Sequence, residues 1–182
     1  MLSFAWRFRQ LQAFSRLRVL IVSLILWSLL LGGCYSASLT SSNNNSPKEA
    51  LQRFYGNNGP EDTFMDPLIL AGEGVVPLVL KEVKNKNMPR RRYAIEFLGN
   101  GSYREALPDL ESILKDTTEE DYFRGDALRS IYLIDESRGQ EFAQEYKDQT
   151  NYLGELSRRV VAGDDQLKKR RAYSDAVVGK HQ

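Results

Sequence analysis

The chain of 182 residues has a single cysteine, Cys34, and a single histidine, His181. A lone cysteine cannot close an internal disulfide, so its thiol is free, shared between molecules or modified. One histidine and one cysteine cannot build a Cys/His metal cluster. His181 stands one residue before Gln182, where a mobile tail is expected, and it is a poor base for any serine nucleophile. Phosphate-cradling loops are missing too, because Gly72-Glu-Gly-Val-Val-Pro77 lacks the third glycine and the lysine that such sites use. There is no calcium-loop pattern and no segment of strand-like alternation. The acidic groups Asp109, Glu111 and Asp116, and Glu119, Glu120 and Asp121, are of the kind that decorate solvated helices and helix starts. These absences predict a protein with no catalytic residue, no cofactor and no metal.

What is present begins with an uneven charge distribution. Residues 1 to 18 carry Arg7, Arg9, Arg16 and Arg18 with no acidic residue, and they lead into the apolar run from Val19 to Leu31. A basic segment followed by an apolar one is the layout of a secretory signal. The uncharged stretch from Val19 to Gly33 is 15 residues long, short of the roughly 20 a membrane-spanning helix needs. Leu31-Gly32-Gly33-Cys34 then resembles the lipobox of bacterial lipoproteins. That resemblance implies cleavage between Gly33 and Cys34 and attachment of diacylglycerol to the Cys34 thiol. An acyl anchor contributes about 0.8 kcal/mol per buried methylene, so several chains hold a protein on a membrane without a spanning helix. Loss of the four leader arginines would leave 21 basic against 24 acidic residues, a balance that argues against a nucleic-acid reader. Tyr35 is not the aspartate that marks inner-membrane retention in the lipoproteins this chain resembles. The resemblance therefore implies an outer-membrane location facing the periplasm in a cell with two membranes.

Residues 34 to 46 are polar and have almost nothing to bury, which predicts a flexible tether. Ser46-Pro47-Lys48-Glu49 reads as a helix start. Helices are then expected after Asp66-Pro67, over Val75 to Lys86, Arg90 to Leu98, Tyr103 to Lys115 and Asp121 to Asp135, with turns at Gly72 to Gly74, Asn87 to Pro89 and Gly99 to Gly101. Phe142 and Tyr146 fall one further period on. The segment Val76-Pro77-Leu78-Val79 through Val83-Lys84-Asn85 aligns with Leu107-Pro108-Asp109-Leu110 through Leu114-Lys115-Asp116 at an offset of 31. Arg92-Tyr-Ala94 through Leu98 aligns with Arg124 through Ile131.

These residues resemble HEAT repeats over about positions 65 to 148. The resemblance implies an all-α fold, a short right-handed α-solenoid of about three antiparallel helix pairs, with an extra C-terminal helical segment. The expected organisation is a signal peptide at 1–33, the tether at 34–46, the repeat domain at 47–150 and a C-terminal cap and tail at 151–182. In such repeats an acidic residue after the second helix and an arginine in the next helix hold neighbouring turns together. The resemblance assigns that structural role to Asp116 and Arg124, and to Asn85 and Arg92 one period earlier. Lys81, Lys84, Arg90, Arg91 and Lys115 are the candidates for a docking surface, since Lys84 and Lys115 recur at equivalent places.

The expected function is a membrane-anchored, helical-repeat adaptor or scaffold in the bacterial envelope, not an enzyme. Its partner would be an envelope protein or a wall component. A lyase-like HEAT-repeat enzyme and a purely architectural envelope protein are the alternatives.

Overall fold

In a computed structural model of the chain, the described residues are 46–169 and 174–177. The expected signal peptide, the cleavage site at Gly33, Cys34 with its lipidation, the tether up to residue 45, and His181 lie outside them. Every described residue belongs to one compact unit.

Ser46 opens the first helix, α1 (Pro47–Gly56), by a reciprocal capping box: its hydroxyl accepts from the Glu49 amide while the Glu49 carboxylate accepts from the Ser46 amide. Two of the helix's otherwise unpaired amides are thereby satisfied. Helices α2 (Asp66–Ala71) and α3 (Val76–Glu82) follow, each with proline in its first turn, where the missing N–H costs nothing. Gly72 between them sits at φ 60, a backbone conformation open to glycine. The 22-residue stretch Glu61–Glu82 is long and apolar enough by composition to cross a membrane. Here it is broken at Gly72, and Leu68, Ile69, Val75, Val76 and Val79 are buried in the core. Helix α3 stops at Glu82, earlier than the periodicity predicts, and a turn runs from there to α4.

The remaining helices are α4 (Arg91–Asn100), α5 (Leu107–Lys115), α6 (Asp121–Ile134), α7 (Glu136–Tyr146) and α8 (Tyr152–Val161). Among the described residues there are eight α-helices and no strand, so the fold is all-α. Every residue of α6 from Gly125 to Leu133 is buried, and a helix buried on all sides needs neighbours on all sides. It has them: α6 packs against α4, α5, α7 and α8. The arrangement is thus organised around one central helix, with α5 lying closely on α6. The first helices of successive units, α4, α6 and α8, stack on one another.

Gly99 and Asn100 do not form the turn that their composition predicts; both lie in the last turn of α4 and are buried. The reason is tertiary. A Cβ on Gly99 would stand 2.5 Å from the Ser130 Cα of α6, and the Ser130 hydroxyl donates to the Ile95 carbonyl at 2.9 Å. The glycine lets two helices meet backbone to backbone. Gly99→Ala is expected to lower stability by about 1–3 kcal/mol through overpacking, measured by urea unfolding; an unchanged midpoint would refute this account of the α4–α6 contact.

The internal repeat is visible in local geometry. A 3₁₀ turn at Gly72–Val75 leads into α3, and another at Arg104–Ala106 leads into α5, each followed by a proline-initiated helix. After those helices, the Asn85 side chain accepts from the Asn87 amide at 3.0 Å, and the Asp116 side chain accepts from the Thr118 amide at 2.9 Å. An arginine from the following helix then donates to a carbonyl at the end of the preceding one: Arg91 Nε to Val83 O at 2.7 Å, Arg124 Nε to Leu114 O at 2.9 Å, and Arg158 Nη1 to Lys147 O at 2.7 Å. Carbonyls at a helix C-terminus lack intrahelical donors and attract positive charge, so each arginine is a strut that ties one helix to the next. The matching of Arg92 with Arg124 is therefore corrected: Arg91 is the structural counterpart. Consecutive helical residues point about 100° apart, and residue type alone cannot tell which member of Arg90-Arg91-Arg92 faces the preceding helix.

Candidate functional site

The docking candidates read from the sequence do not form one positive stripe. Arg91 is 2% exposed; besides its bond to Val83, its Nη1 pairs with Glu119 at 2.8 Å, so it contributes only to the wall of the groove beside Lys84. Arg90 takes φ 57 just before α4, with its guanidinium 4.1 Å from the Phe64 ring centroid and Nη1 donating to Phe54 O at 3.1 Å. Lys84 pairs with Asp109 at 3.0 Å, and Lys115 with Glu111 at 3.4 Å. Lys81 is exposed on α3. Beside Lys84 lies a groove of about 210 Å³ that also contains Lys86, Asp109, Asp116 and Glu119. Lys86 donates to Asp116 at 2.7 Å, and with the Thr118 hydroxyl and amide it holds the Asp116 carboxyl well below the usual range. The surface there alternates in sign, because the acids on α5 and in the following loop neutralise the lysines of the preceding unit.

A second constellation lies where α4, α6 and α8 stack, and periodicity did not reveal it. Glu96 of α4 and Asp126 of α6 are 2% and 1% exposed. Each sits in an apolar setting in sequence, Ala94-Ile-Glu96-Phe-Leu98 and Gly125-Asp126-Ala-Leu128. That interruption of a core-facing run was the available signal. Arg92 bridges the two acids, with Nε 2.8 Å from Asp126 Oδ2 and 3.6 Å from Glu96 Oε1. From α8, the Tyr152 hydroxyl donates to Asp126 Oδ1 at 3.2 Å. Arg129, also buried, donates through Nε and Nη2 to the Leu167 carbonyl at 3.0 and 2.7 Å and through Nη2 to Asn100 Oδ1 at 3.3 Å. That bond fastens the 3₁₀ turn Asp165–Lys168 across the end of the stack. Arg159 of α8 completes the group, its Nε donating to Asp164 at 2.7 Å.

Burial dominates the electrostatics. Desolvation first, and the neighbouring Glu96 second, push the Asp126 carboxyl up to about 6, although Arg92 and Tyr152 pull the other way. Burial also opposes the charge on Arg92, but Asp126 and Glu96 more than offset it and its pKa rises. Burial raises the Tyr152 phenol, and Asp126 adds to the effect. A strongly shifted carboxyl beside a polar cavity marks a candidate site. This one has arginine forks and an acid that changes protonation near neutrality, so it can hold an ion or exchange a proton. Among the described residues no group of three or more His, Cys, Asp or Glu side chains is placed to hold a metal ion. No family model, curated protein or solved structure matches this chain.

Proposed function

We propose that the chain is a lipid-anchored protein of the bacterial envelope, held through Cys34, whose HEAT-like helical unit works as an adaptor without turnover. The observation that carries this reading is the combination of two features in one chain. A basic and then apolar leader ends in Leu31-Gly32-Gly33-Cys34, and a helical unit follows whose arginine struts recur at Arg91, Arg124 and Arg158. Repeats of this kind present surface rather than perform chemistry. The alternating charge around Lys84, Lys86, Asp109 and Asp116 suits a protein partner or a charged wall polymer better than a nucleic acid. With Tyr35 after the cysteine, the outer membrane is the proposed address where two membranes exist.

Intact-mass analysis of the protein purified from membranes is expected to show a chain starting at Cys34 with acyl chains attached, and Cys34→Ser is expected to abolish both changes. A wild-type product that retains Met1, or carries an unmodified thiol, would remove the anchor from the proposal. Crosslinking in cells followed by recovery from the membrane fraction is expected to yield a discrete partner, weakened when Lys84 and Lys86 are both replaced by glutamate. Turnover of a wall or lipid substrate by the purified protein, with no partner recovered, would overturn the adaptor reading.

A further inference from the structure

The cavity beneath the C-terminal 3₁₀ turn has a volume of about 190 Å³, is partly open to solvent, and is lined by Arg92, Glu96, Asp126, Arg129, Tyr152 and Arg159 among others. Ligand pockets are ordinarily apolar with a few polar groups; here the charged groups dominate, which excludes an apolar occupant. At about 30 Å³ per water the space holds several waters or one small ion with part of its hydration. Three guanidiniums, contributed by three successive stacked helices, face two carboxylates. Arg92 and Arg159 stand at the mouth, 39% and 40% exposed, and each meets its protein carboxylate through Nε. Those bonds leave the terminal Nη pair of each guanidinium, the fork that fits a planar or tetrahedral oxyanion, uncommitted to Asp126 or Asp164.

We propose that this cavity binds a small oxyanion, such as inorganic phosphate or a short carboxylate, between the terminal nitrogens of Arg92 and Arg159, with Arg129 supplying positive charge beneath. The carboxylates do not stand in the way, because Asp126 can carry a proton. An anion placed beside Asp126 and Glu96 repels both. Asp126 is acted on by Arg92 and Glu96 of α4 and Tyr152 of α8; Arg129 of its own helix, Arg159 of α8 and Gln166 of the overlying turn line the same cavity, with Asp164 paired to Arg159 at the rim. Asp126, already held near pH 6, is the acid that yields, so anion uptake is coupled to uptake of a proton. Arg92 is then released from its strongest partner and turns to the ligand. Affinity for an anion of constant charge, such as acetate, should rise as pH falls from about 8 to about 6.

The test is isothermal titration of the full chain in detergent with inorganic phosphate and with acetate, using chloride at matched ionic strength as the reference. Saturable binding at about pH 6 is expected, weakened roughly tenfold by Arg159→Gln through loss of a charge-assisted pair. Arg92→Gln, the second variant, is expected to weaken it to a similar degree. Asp126→Asn is expected to tighten acetate binding at about pH 8 and to remove the pH dependence of acetate binding, acetate being fully ionised throughout that range. Vesicles of phosphatidylglycerol should not compete, because a recessed cavity of this size admits a free ion and not a lipid surface. No saturable heat beyond that of chloride overturns the proposal. So does binding unchanged by Arg159→Gln, Arg92→Gln and Asp126→Asn, or binding to the vesicles without binding to free phosphate.

Discussion

Arg91→Ala is expected to lower the unfolding free energy by about 3–5 kcal/mol, the range for breaking one side of a buried ion pair. Two groups lose their partner at once. The Val83 carbonyl at the end of α3 is left without the Arg91 donor, and Glu119, 5% exposed, keeps only Lys86 at 3.7 Å. The equivalent changes should follow a gradient set by burial. Arg124→Ala is expected to cost less, because Arg124 is half-buried, and Arg158→Ala least, because Arg158 is exposed and water can replace it at the carbonyls of Lys147 and Gln149. Denaturant midpoints for the three single variants give the ranking directly. If Arg91→Ala left the midpoint unchanged but weakened partner capture, Arg91 would be a docking residue after all, and its role as a strut would be withdrawn.

The second large effect is a pH dependence that Asp126→Asn should erase. The Asp126 carboxyl is raised from 3.8 to about 6 in the folded chain, whereas the unfolded chain leaves it near the ordinary aspartate value. Below about pH 4 both states hold the proton. Between about 4 and 6 the folded state binds it and the unfolded state does not, so stability falls as pH rises through that window. Above about 6 the loss is complete and amounts to roughly 2–3 kcal/mol at 1.36 kcal/mol per pKa unit. Glu111, Asp116 and Asp164 are shifted downward by their cationic and hydrogen-bonding partners and slope the other way at lower pH. The diagnostic quantity is therefore the difference between wild-type and Asp126→Asn stabilities at each pH. A difference that stays constant from about pH 4 to 7 would show that the folded state does not raise the proton affinity of Asp126.

Much of the local structure was legible from short-range chemistry. Ser46 and Glu49 announced α1 because a capping box needs only residues three apart, and Asp66-Pro67 marked the start of α2 for the same local reason; α3 and α5 start at Val76 and Leu107, later than the Val75 and Tyr103 read from periodicity. The turn at Gly72, the span of α6 and the offset of 31 between α3 and α5 were likewise present in residue order. The end of α4 was not. Gly99 and Asn100 have the composition of a turn but lie in the last turn of α4, where Gly99 leaves room for Ser130 on a helix about thirty residues away.

The amino-acid order alone determined an all-helical chain and a repeat at an offset of 31 residues, because helix propensity, capping and periodicity are local properties, whereas the turn at Asn85 fell inside the helix expected to reach Lys86. The tertiary structure decided which arginine of Arg90-Arg91-Arg92 became the strut and which joined Asp126. It also decided that Glu96 and Asp126 share one buried site beneath Leu167. Those outcomes depend on helical phase and on groups brought together from about thirty to forty residues apart. Desolvation acts on the assembled environment, so the altered acidity of Asp126 exists only once α4, α6 and α8 have closed around it.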